Sequence, residues 1–215
     1  MRELAYTLLG DGSSDEVLLR PIGWLLERHL AQDIATRAQW ADLRSSRTKP
    51  KGLAERIPEA ARLYPCDVLF VHRDGEGEAP EMRRDEIQAA FRQASVPPLI
   101  CVIPVRMQEA WLLFDEPAIR RAAGNPNGKK RLELPNLRVV ESLPDPKLVL
   151  RDCLRIASEL SGRRLDRFRR DESQAARRVA DYIEDFSPLR RLSAFQRLED
   201  DVAQALANNG WSSRG

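Results

Sequence analysis

Asp67-Val68-Leu69-Phe70-Val71-His72-Arg73-Asp74-Gly75-Glu76 is the stretch on which the fold turns. Val68 to Val71 form an unbroken apolar run, too short for a helix and lacking the alternation of a strand with one wet face, so it reads as a central strand covered on both sides. The abrupt change to charged residues and glycine marks the strand's end. Working outward, Leu4–Leu9 and Leu99–Val105 read as two more buried strands. Gln39–Leu43 is a weaker candidate for another. Helical spacing fills the gaps: Val17, Leu18, Ile22, Leu25, Leu26 and His29; then Leu53, Ile57, Ala60, Ala61 and Tyr64; then Ile87, Ala90, Phe91 and Ala94 along a helix of about Glu81–Gln93. Ser13 or Ser14 is the expected cap of the first helix, with Asp15 and Glu16 at the positive end of its dipole and Pro21 a source of a kink. Strand and helix in alternation predict an α/β fold, a mostly parallel sheet flanked by helices.

Beyond the last strand, Gln108–Phe114 and Pro117–Ala123 read as short helical pieces, and Gly124–Leu143, rich in Gly, Pro, Asn and basic residues, as an extended loop. From Pro144 no strand is evident, whereas Lys147–Leu160, Asp171–Phe186 and Pro188–Ala207 carry helical spacing. The expected layout is an α/β part over 1–143 with a helical C-terminal part over 144–215 packed on it, one structural unit in a chain of 215 residues. Apolar residues at 42% and charged residues at 32% suit a soluble globular chain. No run approaches the roughly 20 apolar residues of a membrane span, and no basic-then-apolar leader opens the sequence, so no membrane partner and a cytoplasmic location are expected. Cys66, Cys101 and Cys153 are odd in number, widely spaced and set in apolar stretches, which favours buried free thiols over disulfides or a thiolate zinc site.

Acidic residues gather where the strands end: Asp11 and Asp15 after the first, Asp74 and Glu76 after the central one, Glu109 and Asp115 after the last. Ligands of parallel sheets collect at the carboxyl ends of the strands. Hard cations such as Mg²⁺ or Mn²⁺ take oxygen ligands, and Mg²⁺ uses only a few carboxylates together with water and substrate phosphate. Gly10, Gly12 and Gly75 suit a backbone that turns tightly or approaches a phosphate. The alternative is that the acids are ordinary solvated loop side chains.

Leu9-Gly10-Asp11-Gly12-Ser13-Ser14-Asp15 resembles the first motif of the Toprim family, and Val71-His72-Arg73-Asp74-Gly75-Glu76 its second, an apolar strand ending in two acids one residue apart. Ile103-Pro104-Val105-Arg106-Met107-Gln108-Glu109-Ala110-Trp111-Leu112-Leu113-Phe114-Asp115 resembles a hallmark of the small Toprim-like DUF4276 proteins, relatives of the nuclease domain of OLD-type and abortive-infection systems. The likeness spans residues 4–115, with a weaker echo at 187–192. It implies a Toprim-like, Rossmann-like sheet and metal-dependent phosphodiester chemistry on DNA or RNA. By the resemblance Asp74 and Glu76 hold Mg²⁺ or Mn²⁺, joined by Asp15 or Glu109, and Asp11 moves a proton. It further implies phage defence beside a separately encoded ATPase, since the chain has no ATPase motif of its own. Two positions depart from the family pattern: Asp11 stands where glutamate is usual and His72 where aspartate is usual. His72 is open to four readings, as a shift of metal preference, as a base, as the mark of a site that no longer cuts, or as a strand-end histidine hydrogen-bonded to backbone. A module that binds nucleic acid or a protein partner without cleavage is therefore the alternative.

Basic residues concentrate late in the chain. Arg163, Arg164, Arg167 and Arg170 can neutralise backbone phosphates, or can form a solvated helix face paired with Asp166, Asp171 and Glu172. Lys129 and Lys130 lie in a Gly-Asn-Pro-Asn-Gly-Lys-Lys stretch that lacks the spacing and the Ser or Thr of a phosphate-binding loop and reads as a surface turn able to touch a polyanion. Trp111, inside an apolar helical run, suits core or the interface of a homo-oligomer better than base stacking. Two histidines, and no serine in a nucleophile elbow, leave no catalytic triad to defend.

Overall fold

The computed structural model describes residues 2–75, 78–92, 94 and 96–212. Its centre is one sheet of four parallel strands, β1 (Arg2–Leu9), β2 (Ile34–Trp40), β3 (Val68–His72) and β4 (Leu99–Val102), in the order β2-β1-β3-β4. The α/β class and the parallel, Rossmann-like sheet expected from the sequence are both present. The order carries a consequence the linear pattern could not: the chain leaves β1 toward β2 on one side and returns to β3 on the other. The switch point lies between β1 and β3, where the two loops diverge and leave a crevice at the carboxyl ends.

β1, β3 and β4 feed two cores by alternation. Leu4, Tyr6 and Leu8 of β1, Val68 and Phe70 of β3, and Ile100 and Val102 of β4 face the larger core, built with α1 (Leu19–His29) and the C-terminal helices. Leu9, Leu69, Val71 and Cys101 face the smaller one, against α2 (Leu53–Leu63) and α3 (Pro80–Phe91). This two-sided burial is why β3 shows no alternation of polarity. β2 misled the sequence reading, which put it at Gln39–Leu43. It is an edge strand, exposed at Ala35, Arg37 and Ala38, so its composition carries no strong apolar signal.

After β1 the chain makes a single 3-10 turn, Asp15–Leu18, before α1. Neither serine caps it: Ser14 has helical backbone angles and makes no side-chain cap hydrogen bond. Pro21 is the third residue of α1, where its missing N–H has no helical partner to lose, so it need not break the helix.

The second half is helical: α4 (Glu116–Ala122), the single turn α5 (Leu137–Val140), α6 (Pro146–Ser158), α7 (Gly162–Tyr182) and α8 (Ser193–Asn208). α7 begins at Gly162, not at Asp171, and so takes in the arginine cluster. The stripe Leu165, Phe168, Glu172, Ala175 and Val179 faces inward at spacings of three and four, but a buried glutamate interrupts its apolar signal. Glu172 is satisfied there by Arg155, whose Nε and Nη2 donate at 2.6 and 2.8 Å. One apolar core runs from Leu4 through Trp111 to Leu206 and joins the sheet to the C-terminal helices. Trp111 is 1% exposed, edge-on to Phe195 with ring centroids 5.3 Å apart, a core residue. The segment after α4 is held in place: Glu159, left-handed at the end of α6, accepts from the backbone N–H groups of Lys129 and Lys130.

Candidate functional site

The loop after β1 and the end of β3 meet at the switch point. Asp15, 5% exposed, turns its carboxylate back on its own loop: Oδ2 accepts from the N–H groups of Asp11 (2.8 Å) and Gly12 (3.0 Å), and Oδ1 from Ser14 Oγ (3.0 Å) and Gln108 Nε2 (3.1 Å). A carboxylate has about four lone-pair positions, and four donors occupy them. Asp15 is thus the staple of the loop. A Cβ on Gly10 would come within 2.6 Å of its Oδ2 and 2.9 Å of the Trp40 ring, so glycine is required there by packing.

His72 is 2% exposed at the end of β3. Its Nδ1 lies 2.9 Å from the carbonyl of Val102 and, facing an acceptor, must carry a proton. Nε2 faces the carboxylates, 3.4 Å from Asp74 Oδ1 and 4.0 Å from Asp15 Oδ2. Burial alone would depress this imidazole, but the hydrogen bond to Asp74 and the charges of Asp15 and Asp74 outweigh it and hold its pKa above the ordinary histidine value. Asp74 Oδ1 also accepts from the N–H of Gln108 at 3.2 Å, whereas its Oδ2 has no partner among the described residues. Gly75 is explained by the protein itself: a Cβ there would overlap the backbone carbonyl of Val105, so this glycine lets the loop pack under the segment after β4.

The other candidate acids divide. Glu109 is 9% exposed, with Lys147 Nζ 3.9 Å from its Oε1. Burial, with the charges of Asp74 and Asp15, pushes its carboxyl above the usual range against the pull of Lys147. Asp11 is exposed and ion-paired, 2.7 Å from Arg56 and 3.3 Å from Arg73. Asp115 is a helix cap, accepting from the N–H of Ala118 at 2.9 Å. Glu76 lies outside the described residues. No group of three or more acidic, His or Cys side chains is placed to hold a metal among the described residues. Cys101 and Cys153 are buried free thiols pushed up to about 11 by burial, while Cys66 is half-buried and also free.

Three cavities meet over this centre. One of about 340 Å³ is lined by Asp11, Gly12, Ser14, Asp15, His72, Arg73 and Asp74. Gly12 and Ser14 also line a second of about 340 Å³, whose walls carry Glu109, Lys147, Arg151 and Arg177. Asp11 and Gly12 also line a third of about 300 Å³ with Trp40, Lys51, Arg56 and the ion pair of Arg44 with Asp42. Gly12 is common to all three, and a Cβ there would meet only Ser14 Oγ at 3.7 Å, so its backbone is the open floor where they join. A larger cavity, about 550 Å³, opens beside α1 and α7 away from the strand ends. Its charges include an internal pair, Arg20 and Asp181 at 2.7 Å, and no acid of the centre lines it.

The basic residues expected to contact a polyanion are elsewhere. Arg163, Arg164, Arg167 and Arg170 project from the exposed first half of α7, and Lys129 and Lys130 are exposed on their loop; none lines these three cavities. The cations that do line them are Arg44, Lys51, Arg56, Arg73, Lys147, Arg151 and Arg177; the first six were not singled out from the sequence as polyanion contacts, nor was Gln108, which ties Asp15 to Asp74. The pair Lys147 and Arg151, one helical turn apart, was the available signal. No helix among the described residues is long and apolar enough to cross a membrane. Comparison with protein-family models, with curated proteins and with solved structures found no match.

Proposed function

We propose that the chain is a divalent-metal-dependent phosphodiesterase of Toprim type acting on DNA or RNA. The observation that carries this reading is the join of the three cavities at Gly12, at a sheet's switch point: an acidic centre shares its floor with two clefts, one carrying Lys147, Arg151 and Arg177 and the other Arg44, Lys51 and Arg56. A polynucleotide is repelled by bare carboxylates and needs cations on the path to either side.

Asp74, through its Oδ2, which has no partner among the described residues, and Glu109 are the residues proposed to hold Mg²⁺ or Mn²⁺. They fit an ion that uses one or two protein carboxylates with water and substrate phosphate, not a closed protein cage. Glu76 keeps the ligand role implied by the resemblance. When bound, the metal supplies charge that polarises the scissile phosphate and stabilises the leaving oxygen. His72 is fixed through Nδ1 and holds or moves a proton at Nε2. Asp15 shapes the loop instead of binding the ion, and Asp11 orients Arg56 and Arg73 toward the path of the strand. Phage defence and a separate ATPase partner belong to this proposal through the family resemblance alone.

A second reading has its own support. Both acids of the first motif, Asp11 and Asp15, are engaged by internal partners, as expected of a module that binds a polynucleotide without cutting it. Metal titration followed by incubation with plasmid DNA, single-stranded DNA and tRNA separates the two. Cleavage that needs Mg²⁺ or Mn²⁺ and disappears in Asp74→Ala, with circular dichroism unchanged, supports the enzyme. Full activity in Asp74→Ala refutes the assignment, and binding without cleavage on every substrate favours the module.

A further inference from the structure

We infer that the cavity between the Gly12–Ser14 loop, the turn Gln108–Leu112, α6 and α7 is a subsite for one nucleotide unit. The inference takes its purpose from the proposed phosphodiesterase reading and its evidence from this cavity's own lining. Val17 and Ala176 give it apolar surface, with Leu112 and Leu150 buried behind them, and Lys147, Arg151 and Arg177 give it cations from two helices. Its volume of about 340 Å³ lies within the range of small-molecule sites, roughly 300–1,000 Å³.

The charges leave an excess of cation. Glu172, 3.8 Å from Arg151, is already held by two hydrogen bonds from Arg155. Glu109 lies 3.9 Å from Lys147. Arg177 has no ion pair or hydrogen bond among the described residues. An anion completes the set. Apolar lining asks for more than an inorganic phosphate, because a bare anion would leave that surface wet. A phosphate joined to a sugar and a flat base satisfies both halves, with the phosphate at the guanidinium groups and the base against the apolar wall.

A second observation points the same way. Gln108 lines the cavity and is 3% exposed; its amide nitrogen donates to Asp15, but its Oε1 is buried with no hydrogen-bond partner among the described residues. A buried acceptor without a donor is costly, and an exocyclic amino group or a sugar hydroxyl supplies the missing one. The subsite shares Gly12 and Ser14 with the cavity of Asp74, so a strand with one nucleotide seated here runs its next phosphodiester toward the acidic centre.

The test measures binding by the full chain, without metal, of adenosine monophosphate, inorganic phosphate and a single-stranded octanucleotide, by calorimetry and ligand-observed NMR. The nucleotide or the octamer binds, phosphate binds at least about tenfold more weakly, and Arg151→Ala with Arg177→Ala weakens the nucleotide ligand by about tenfold or more, the worth of one charge-assisted hydrogen bond. Ala176→Trp, which fills the cavity from α7 without removing a charge, abolishes binding and guards against a purely electrostatic effect. Binding of the octamer alone assigns the subsite to a strand; binding of both admits free nucleotides. The inference is overturned if neither binds, if phosphate binds as tightly as the nucleotide, or if the variants, folded by circular dichroism, bind like the wild type. Asp74→Ala separates it from the catalytic reading, since that variant loses cleavage and keeps nucleotide binding. A wild type that binds nucleotide in this variant-sensitive way but cuts nothing sinks the catalytic reading alone.

Discussion

Removing the Asp15 carboxylate tests whether it is a staple or a metal ligand, because the two roles give opposite signs. Where acids are gathered mainly to hold a cation, neutralising one relieves repulsion and stabilises the metal-free protein. Four donors converge on Asp15 here, two of them backbone N–H groups, so its loss leaves the loop without the acceptor that folds it back on itself. Each such bond is worth about 1 kcal/mol net, more with a charged acceptor, while rehydration through the open cavity and relief from Asp74 and Glu109 reduce the sum. Asp15→Ala should therefore cost about 2–4 kcal/mol. Asp15→Asn should cost about half as much, because one amide oxygen still accepts from the two backbone groups and Gln108 can turn its unpartnered oxygen toward the new donor. Urea unfolding at neutral pH in the presence of a chelator, with midpoint and slope compared to wild type, gives the numbers. An unchanged or higher midpoint in Asp15→Ala would refute the reasoning and return Asp15 to the ligand set.

Three further outcomes are expected. Gly12→Val should fold as the wild type does, since a Cβ there meets only Ser14 Oγ at 3.7 Å, yet cut polynucleotide turnover by about a hundredfold by displacing the strand; unimpaired turnover would mean the three cavities are not one path. Trp111→Ala should cost about 3–5 kcal/mol, and Trp111→Phe far less because the indole N–H has no partner to lose; equal losses on calorimetry would contradict that account. Glu59, whose carboxyl is held at about 2 by Arg62 with help from Ser46 and Thr48, stabilises the fold above its unfolded pKa near 4.5, and this contribution fades as pH falls toward 2. The gap in unfolding midpoint between wild type and Glu59→Gln should thus be full at pH 7 and smaller at pH 3; a gap that widens on acidification would reverse the sign.

Apolar runs and their punctuation made β1, β3, β4 and nearly every helix legible, because a buried parallel strand must be apolar on both faces and a packed helix must repeat every three or four residues. β2 and the first half of α7 were obscured for related reasons: an edge strand has little to bury, and a glutamate paired with arginine can occupy a core position. The strand-end rule brought Asp11, Asp15, His72 and Asp74 to one cavity, as their places in the sequence suggested. It could not tell a ligand from a staple or a cap, since Asp15 and Asp115 differ from Asp74 only in which N–H groups surround them.

By itself, then, the sequence determined the layered α/β class and the gathering of acids at strand ends, both properties of local pattern. Tertiary structure alone decided that β1 and β3 are neighbours, that Gln108 ties their loops together, and that Lys147, Arg151 and Arg177 stand beside Gly12. Those facts depend on strand order and on helix packing between segments far apart in the chain, and no local periodicity encodes which faces meet.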